Sequence, residues 1–202
     1  MATIDLKKVY RDHYSAPADP ELVGVPSRPY LMIDGRGDPN TGQEYADAVS
    51  SLYPLAYGLR KVIKDTTGDA YAVMPLEGLW WVDDMTRFTV EDKSDWQWTS
   101  MILLPDAVTA DMASETIESV TATKKLPSGH LARFEGYGDG PAAQILHRGP
   151  YADEAPTIAR LHDFIEEAGY RLAGKHHEIY LTDPRKSAPA NNRTIIRQPV
   201  AG

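Results

Sequence analysis

The chain has 202 residues and a formal charge of −8, with 21 Lys plus Arg against 29 Asp plus Glu. That length excludes a long multidomain assembly, and the acidic balance argues against nucleic acid as a partner, because gripping a phosphate backbone needs a basic face. With 42% hydrophobic and 25% charged residues there is material for a sizeable core, and the absence of Cys excludes disulfides, thiolate nucleophiles and sulfur-ligated metal sites.

No apolar run reaches the roughly 18 residues of a membrane span, and the N-terminus lacks a signal-length apolar stretch. The expectation is a cytoplasmic protein with no membrane partner. Aromatic usage is uneven, 11 Tyr and 4 Trp against 3 Phe, and favours rings that carry a polar handle.

Residues 1–27 are polar and hold Pro17, Pro20 and Pro26, which predicts an N-terminal arm. A strand follows from Tyr30 to Gly35. Thr41 and Glu44 have the spacing of a capping box, and Val49, Leu52, Tyr53, Ala56, Leu59 and Ile63 recur at helical spacing behind it, with Pro54 inside to kink the helix. Strands are predicted at Tyr71–Leu76 and Trp96–Leu104, separated by Gly78-Leu79-Trp80-Trp81 and an acidic stretch from Asp83 to Asp95.

A helix from Thr109 to about Lys124 turns Met112, Ile117 and Val120 inward, and a strand at Leu131–Tyr137 follows it. Ala142–His147 is the next strand. Ile158, Leu161, Ile165 and Ala168 mark a helix begun near Glu154-Ala155-Pro156 and stopped by Gly169. His176–Thr182 and Arg193–Gln198 close the chain as strands. The strand, helix, strand, strand order thus occurs twice, over about 28–105 and 140–199, joined by the helix and strand at about 109–138. The expected fold is α+β: duplicated β-α-β-β units in one antiparallel-rich sheet, with two long helices on one face and a ligand groove between them.

Alternation along the strand at 176–182 puts His176, Glu178 and Tyr180 on one face and His177, Ile179 and Leu181 on the other. A carboxylate held mid-strand between aromatic neighbours loses hydration unless a donor or a cation compensates. Glu178 is then either an anchor for cationic aromatic ligands or a general base acting on water; the alternative is a solvated Glu on an edge. His176 and His177 point to opposite faces and cannot share an ion, so no metal site is expected. His147 stands at a strand end beside Gly149-Pro150-Tyr151, where it could donate to a ligand. Trp96 and Trp98 share a strand face, Trp80 and Trp81 diverge, and Tyr53 and Tyr57 project from the first long helix at a four-residue spacing, as another cavity wall. No glycine-rich phosphate loop and no nucleophile elbow are present.

Three segments carry a resemblance: Met74-Pro75-Leu76-Glu77-Gly78-Leu79-Trp80-Trp81, then Ile145-Leu146-His147-Arg148-Gly149-Pro150-Tyr151 with Glu154 and Thr157, then Gly174-Lys175-His176-His177-Glu178-Ile179-Tyr180-Leu181-Thr182-Asp183-Pro184. Over most of residues 28–199 the chain resembles stand-alone GyrI-like small-molecule-binding proteins. The resemblance implies a duplicated SHS2-type fold with the groove at a pseudo-twofold axis, and a floor glutamate matched by Glu178. It extends to the subfamily that hydrolyses the cyclopropane of DNA-alkylating natural products, through Trp80, Trp98, Tyr151, Glu154 and Glu178. Glu178 or Glu154 is then the catalytic carboxylate. Trp80, Trp98, Tyr53, Tyr57, Tyr137, His147, Tyr151, His176 and Tyr180 are the ligand-binding candidates. No metal or organic cofactor is needed. The rival expectations are a non-catalytic drug sponge or sensor and, more remotely, a module that binds a protein such as DNA gyrase.

Overall fold

The computed structural model describes residues 3–88, 92–183 and 187–202. Met1 and Ala2 of the expected arm, residues 89–91 of the acidic stretch and Pro184 of the third motif lie outside the described residues. In chain order the elements are β1 (Thr3–Ile4), α1 (Leu6–Val9), β2 (Glu21–Val25), β3 (Arg28–Arg36), α2 (Gln43–Thr67), β4 (Ala70–Tyr71), β5 (Leu76–Trp81) and β6 (Gln97–Leu103). They continue with α3 (Ala110–Lys124), β7 (Arg133–Tyr137), β8 (Gly140–Arg148), α4 (Ala155–Glu167), β9 (Arg171–Leu172), β10 (His176–Tyr180) and β11 (Arg193–Ala201). The fold is α+β, with antiparallel pairing in every ladder below except that of β1 with β4.

Two compact units divide the chain. The first comprises residues 28–74 and 81–137 with the N-terminal residues through Val9. In it β3 lies between β6 and β7, with Met32 opposite Met101 on one side and Arg133 on the other. The helix α2 packs on β3, β6 and α3 and buries Leu52, Leu55, Ala56, Leu59 and Ile63, four of which the helical spacing predicts. It runs through Pro54 and starts differently from expectation. Gly42 occupies the N-cap without a side-chain bond, because the Glu44 carboxylate instead accepts the backbone N–H of Arg36 at 3.2 Å. Thr109 does cap α3, accepting from the Met112 amide, and the buried residues of that helix are Ala113 and Thr116, while Met112, Ile117 and Val120 are half-buried.

The second unit takes residues 10–27, 75–80 and 138–202. Its strands lie in the order β2, β8, β11, β10, β5, with β9 paired to the end of β11. One face is apolar and sits under α4: Ala143, Ile145, Ile196 and Val200 pack with Leu161 and Ile165. Gly169, at φ +81, follows the helix, as its position in the sequence predicts.

Three expectations change. Of the strand predicted at 71–76 only the two ends are in strands, Tyr71 in β4 and Leu76 in β5, and β5 extends through the Gly78-Leu79-Trp80 segment read as a connection. The arm at 1–27 contributes β2, a five-residue strand on β8, and its residues 10–20 are tied to the second unit through Leu146 N–H to the Pro17 carbonyl at 2.8 Å. Leu131 falls in a 3-10 turn and Trp96 precedes β6, so neither belongs to its predicted strand.

Candidate site around Glu178

β10 is flanked in its unit by β11 and β5, and its alternation is as the sequence predicts. Glu178 is 8% exposed. His176 donates Nε2–H to one carboxylate oxygen at 3.0 Å and the Tyr180 hydroxyl donates to the other at 2.7 Å. The carboxylate therefore exchanges hydration for two fixed donors.

Across the ladder, Glu178 stands opposite Gly78 and His176 opposite Trp80. A Cβ built on Gly78 would lie 2.8 Å from the Trp80 indole nitrogen. The indole thus lies over Gly78, on the strand position that faces Glu178, and this close approach explains a glycine inside a strand. Gly78→Ala should push the indole off this position, shift the tryptophan emission spectrum and cost about 1–3 kcal/mol; unchanged emission and unfolding midpoint would remove the packing argument.

Tyr151 sits on a 3-10 turn between β8 and α4 and is 38% exposed, with its ring edge-on to Tyr180 at 5.4 Å. Glu154 is buried at the start of α4, where the helix dipole favours a carboxylate. On α4, burial first and the neighbouring His176 second lower the pKa of His162.

His147 differs from expectation. One ring nitrogen meets the Pro150 carbonyl at 3.2 Å and the other the Thr157 hydroxyl at 2.9 Å, and the ring is buried, so it has no donor left for a ligand. The remaining candidates belong to the first unit. Trp98, expected as a cage wall, is 0% exposed and packs edge-on against Tyr45 at 5.2 Å, so it presents no surface to a ligand. Tyr53 is half-buried on α2 and Tyr57 stands 58% exposed one turn on. Tyr137 ends β7, its ring 6.4 Å from that of Tyr30.

A cavity of about 450 Å³ also lies in the first unit, lined by Asp83, Asp84, Asp92, Asp95, Arg36 and Arg87 among others. Its walls are mostly charged loop residues, with Trp96 as their one aromatic side chain.

The opposite face of the second unit holds a buried ionic cluster that sequence reasoning missed. His177 donates to Glu77 at 3.0 Å and to Asp139 at 2.8 Å. Glu77 also accepts from the Tyr14 hydroxyl at 2.5 Å and from His13 at 3.4 Å. Arg197 binds Gln144 at 2.7 Å, the His13 carbonyl at 2.8 Å and Asp139 at 3.4 Å.

Burial alone would lower the His177 pKa, but Asp139 and Glu77 outweigh it and push it up to about 9. Burial alone would raise Glu77, yet His13 and His177 hold it well below the usual carboxylate range. Only one of those histidines carries the charge. His177 has a carboxylate on each nitrogen, whereas His13 has one at longer range and faces Arg197 and His177, so burial keeps it neutral. Two cations, Arg197 and His177, then balance two anions, Glu77 and Asp139.

Residues 18–201 match the GyrI-like small molecule binding domain family. The chain belongs to that family. Similar solved structures include an uncharacterized conserved protein from Listeria innocua, with 37% identity, covering 98% of this chain and 100% of that one, at a TM-score of 0.90. A hydrolase from Listeria innocua is 35% identical over 99% of this GyrI-like chain and 100% of its own, at a TM-score of 0.87. The EcmrR C-terminal domain, 15% identical at a TM-score of 0.59, shares the fold. None of the curated proteins compared matches the chain. Among the described residues no helix is long and apolar enough to cross a membrane.

Proposed function

We propose that this GyrI-like protein takes up planar aromatic or amphipathic xenobiotics over Glu178 and hydrolyses the cyclopropane ring of DNA-alkylating compounds, protecting the cell. The observation that carries the reading is a nearly buried carboxylate, fixed by His176 and Tyr180, with Tyr151 at its rim and Trp80 on the facing strand. The Listeria relative described as a hydrolase supports the catalytic half.

In the reaction, water adds through oxygen to the methylene carbon of the strained ring. The broken C–C bond releases its electron pair through the conjugated system to the carbonyl oxygen, which takes up a proton. Glu178 accepts the proton that water loses, and Tyr151 is the phenol nearest the rim to donate to the developing oxyanion. Ring strain drives the step, so the protein orients the water and the ring.

Incubation with a neutral cyclopropane-bearing alkylator, followed by mass spectrometry for the water adduct, tests this. Glu178→Gln should lower turnover by about 100-fold or more while binding of the neutral compound stays within a few-fold; equal turnover by both proteins removes Glu178 as the base. Glu154→Gln, the companion variant, should retain most turnover.

One observation favours a second reading, a non-catalytic sponge or sensor. Each oxygen of Glu178 already accepts a donor, which weakens it as a base and leaves it a good anchor for a cation. Tight binding of a cationic dye without any water adduct would decide for this reading.

A further inference from the structure

We infer that His147 is the positioning residue that lays Tyr151 against the Glu178 site and so gives the site its preference for planar ligands. The inference rests on the proposed ligand class. It begins with a chain that must turn sharply: β8 ends at Arg148, Gly149 takes φ +128, Pro150 follows, and the 3-10 turn Tyr151–Asp153 leads into α4. At that φ a side chain is strained, which accounts for the glycine.

The turn has little backbone bonding of its own. Asp153 N–H reaches the Pro150 carbonyl at 3.0 Å, Glu154 N–H reaches the Tyr151 carbonyl at 3.2 Å, and Gly149 N–H is held by the Asn192 carbonyl at 3.0 Å. His147 supplies a further, side-chain tie. A carbonyl can only accept, so the nitrogen facing Pro150 carries a hydrogen, while the other shares a hydrogen bond with the Thr157 hydroxyl. One buried ring thereby links the residue before Tyr151 to the first turn of α4 and ties both ends of the segment that carries Tyr151.

The consequence reaches the carboxylate through two rings. Tyr151 lies edge-on to Tyr180, and Tyr180 donates to Glu178. With the latch in place, Tyr151 offers a fixed aromatic surface to a flat ligand. Without it the carboxylate survives but the flat surface is lost. Affinity for a planar aromatic cation should then fall, while affinity for a non-planar aliphatic cation, which needs only the charge of Glu178, should persist.

The test compares rhodamine 6G with tetrabutylammonium by titration calorimetry. His147→Phe keeps a buried ring and removes both hydrogen bonds. It should weaken rhodamine 6G about tenfold, the scale of one or two ordinary hydrogen bonds, and leave tetrabutylammonium within about twofold. Thr157→Val, which removes one bond, should shift the same ratio by about threefold, and His147→Gln, which restores a donor and an acceptor, should recover part of the loss. In the ligand-free protein, amide exchange at Asp153 and Glu154 should quicken in His147→Phe.

Equal losses for both probes would reduce His147 to a purely structural role, and an unchanged ratio would remove it altogether; either result overturns the inference. Should His147→Phe fail to fold, the Thr157→Val and His147→Gln ratios decide. Wild-type protein that binds neither probe sinks the proposed function and this inference with it. Wild-type binding that Glu178→Gln weakens, beside an unmoved ratio in the latch variants, sinks this inference alone.

Discussion

Arg197→Met is expected to lower the unfolding free energy by about 3–5 kcal/mol, a large share of the roughly 5–15 kcal/mol typical of a domain. The guanidinium is wholly buried and donates to Gln144, Asp139 and the His13 carbonyl. Met fills similar space and carries no charge. The two carboxylates Glu77 and Asp139 would then face one cation, His177, and the Gln144 oxygen and the His13 carbonyl would each lose a donor.

The penalty is chiefly the desolvation of an unbalanced anion, since removing a whole balanced set for apolar residues is often neutral. Arg197→Lys should recover only part of the loss, because one ammonium cannot reproduce a planar fork of donors to three partners. Urea denaturation gives the measurement. A drop below about 1 kcal/mol in Arg197→Met would mean that the cluster is hydrated and its charges are screened, as at a surface.

The residues of this cluster show why sequence reading reached one face of the second unit and missed the other. His176, Glu178 and Tyr180 are two residues apart, so strand alternation alone places them together, and the bonds between them follow. Glu77, Asp139, His177 and Arg197 come from four segments, and each looks like a solvated charge until pairing buries it. Alternation puts His177 on its face but says nothing of its partners. Arg197 lies in an Arg-Gln-Pro run that reads as the end of a strand, and His13 and Tyr14 sit in a stretch read as an arm.

The displaced strand has a related cause. Gly78 inside β5 resembles a turn residue in sequence, and only the indole of Trp80 lying over it explains its place. Trp98 enters as a cavity candidate through the family resemblance, but Trp98 and Tyr45 meet only once α2 is folded onto β6. The helices were legible because their burial is periodic; α4 buries Leu161 and Ile165 at the predicted spacing.

Stability should fall as pH rises from about 6.5 to about 9, and His177 sets the sign. Its pKa in the folded protein is raised to about 9 from an unfolded value of 6.5. Between those values the folded state holds a proton that the unfolded state has lost, so the contribution of His177 is complete below pH 6.5 and disappears as pH passes 9. His13, lowered by burial, is neutral in the folded state; its unfolded form still sheds protons just above 6.5, so it opposes the decline at the low end of this window and adds nothing well above it. Glu77, depressed in the folded state, contributes above its unfolded value of 4.5 and loses that contribution as the pH falls through its folded value.

The steepest part of the decline should approach about 1.4 kcal/mol per pH unit, the slope for one proton. Above it, Glu77 and Asp139 are left with Arg197 as their cation, and the Tyr14 and His13 contacts that hold residues 10–20 on this face should loosen first. Denaturation midpoints at intervals from pH 6 to pH 10 measure the slope, and the imidazole proton signals of His177 should persist well above pH 7. A flat stability curve, or a His177 midpoint at or below 6.5, would mean that the ring between the two carboxylates is neutral and that Arg197 alone balances them.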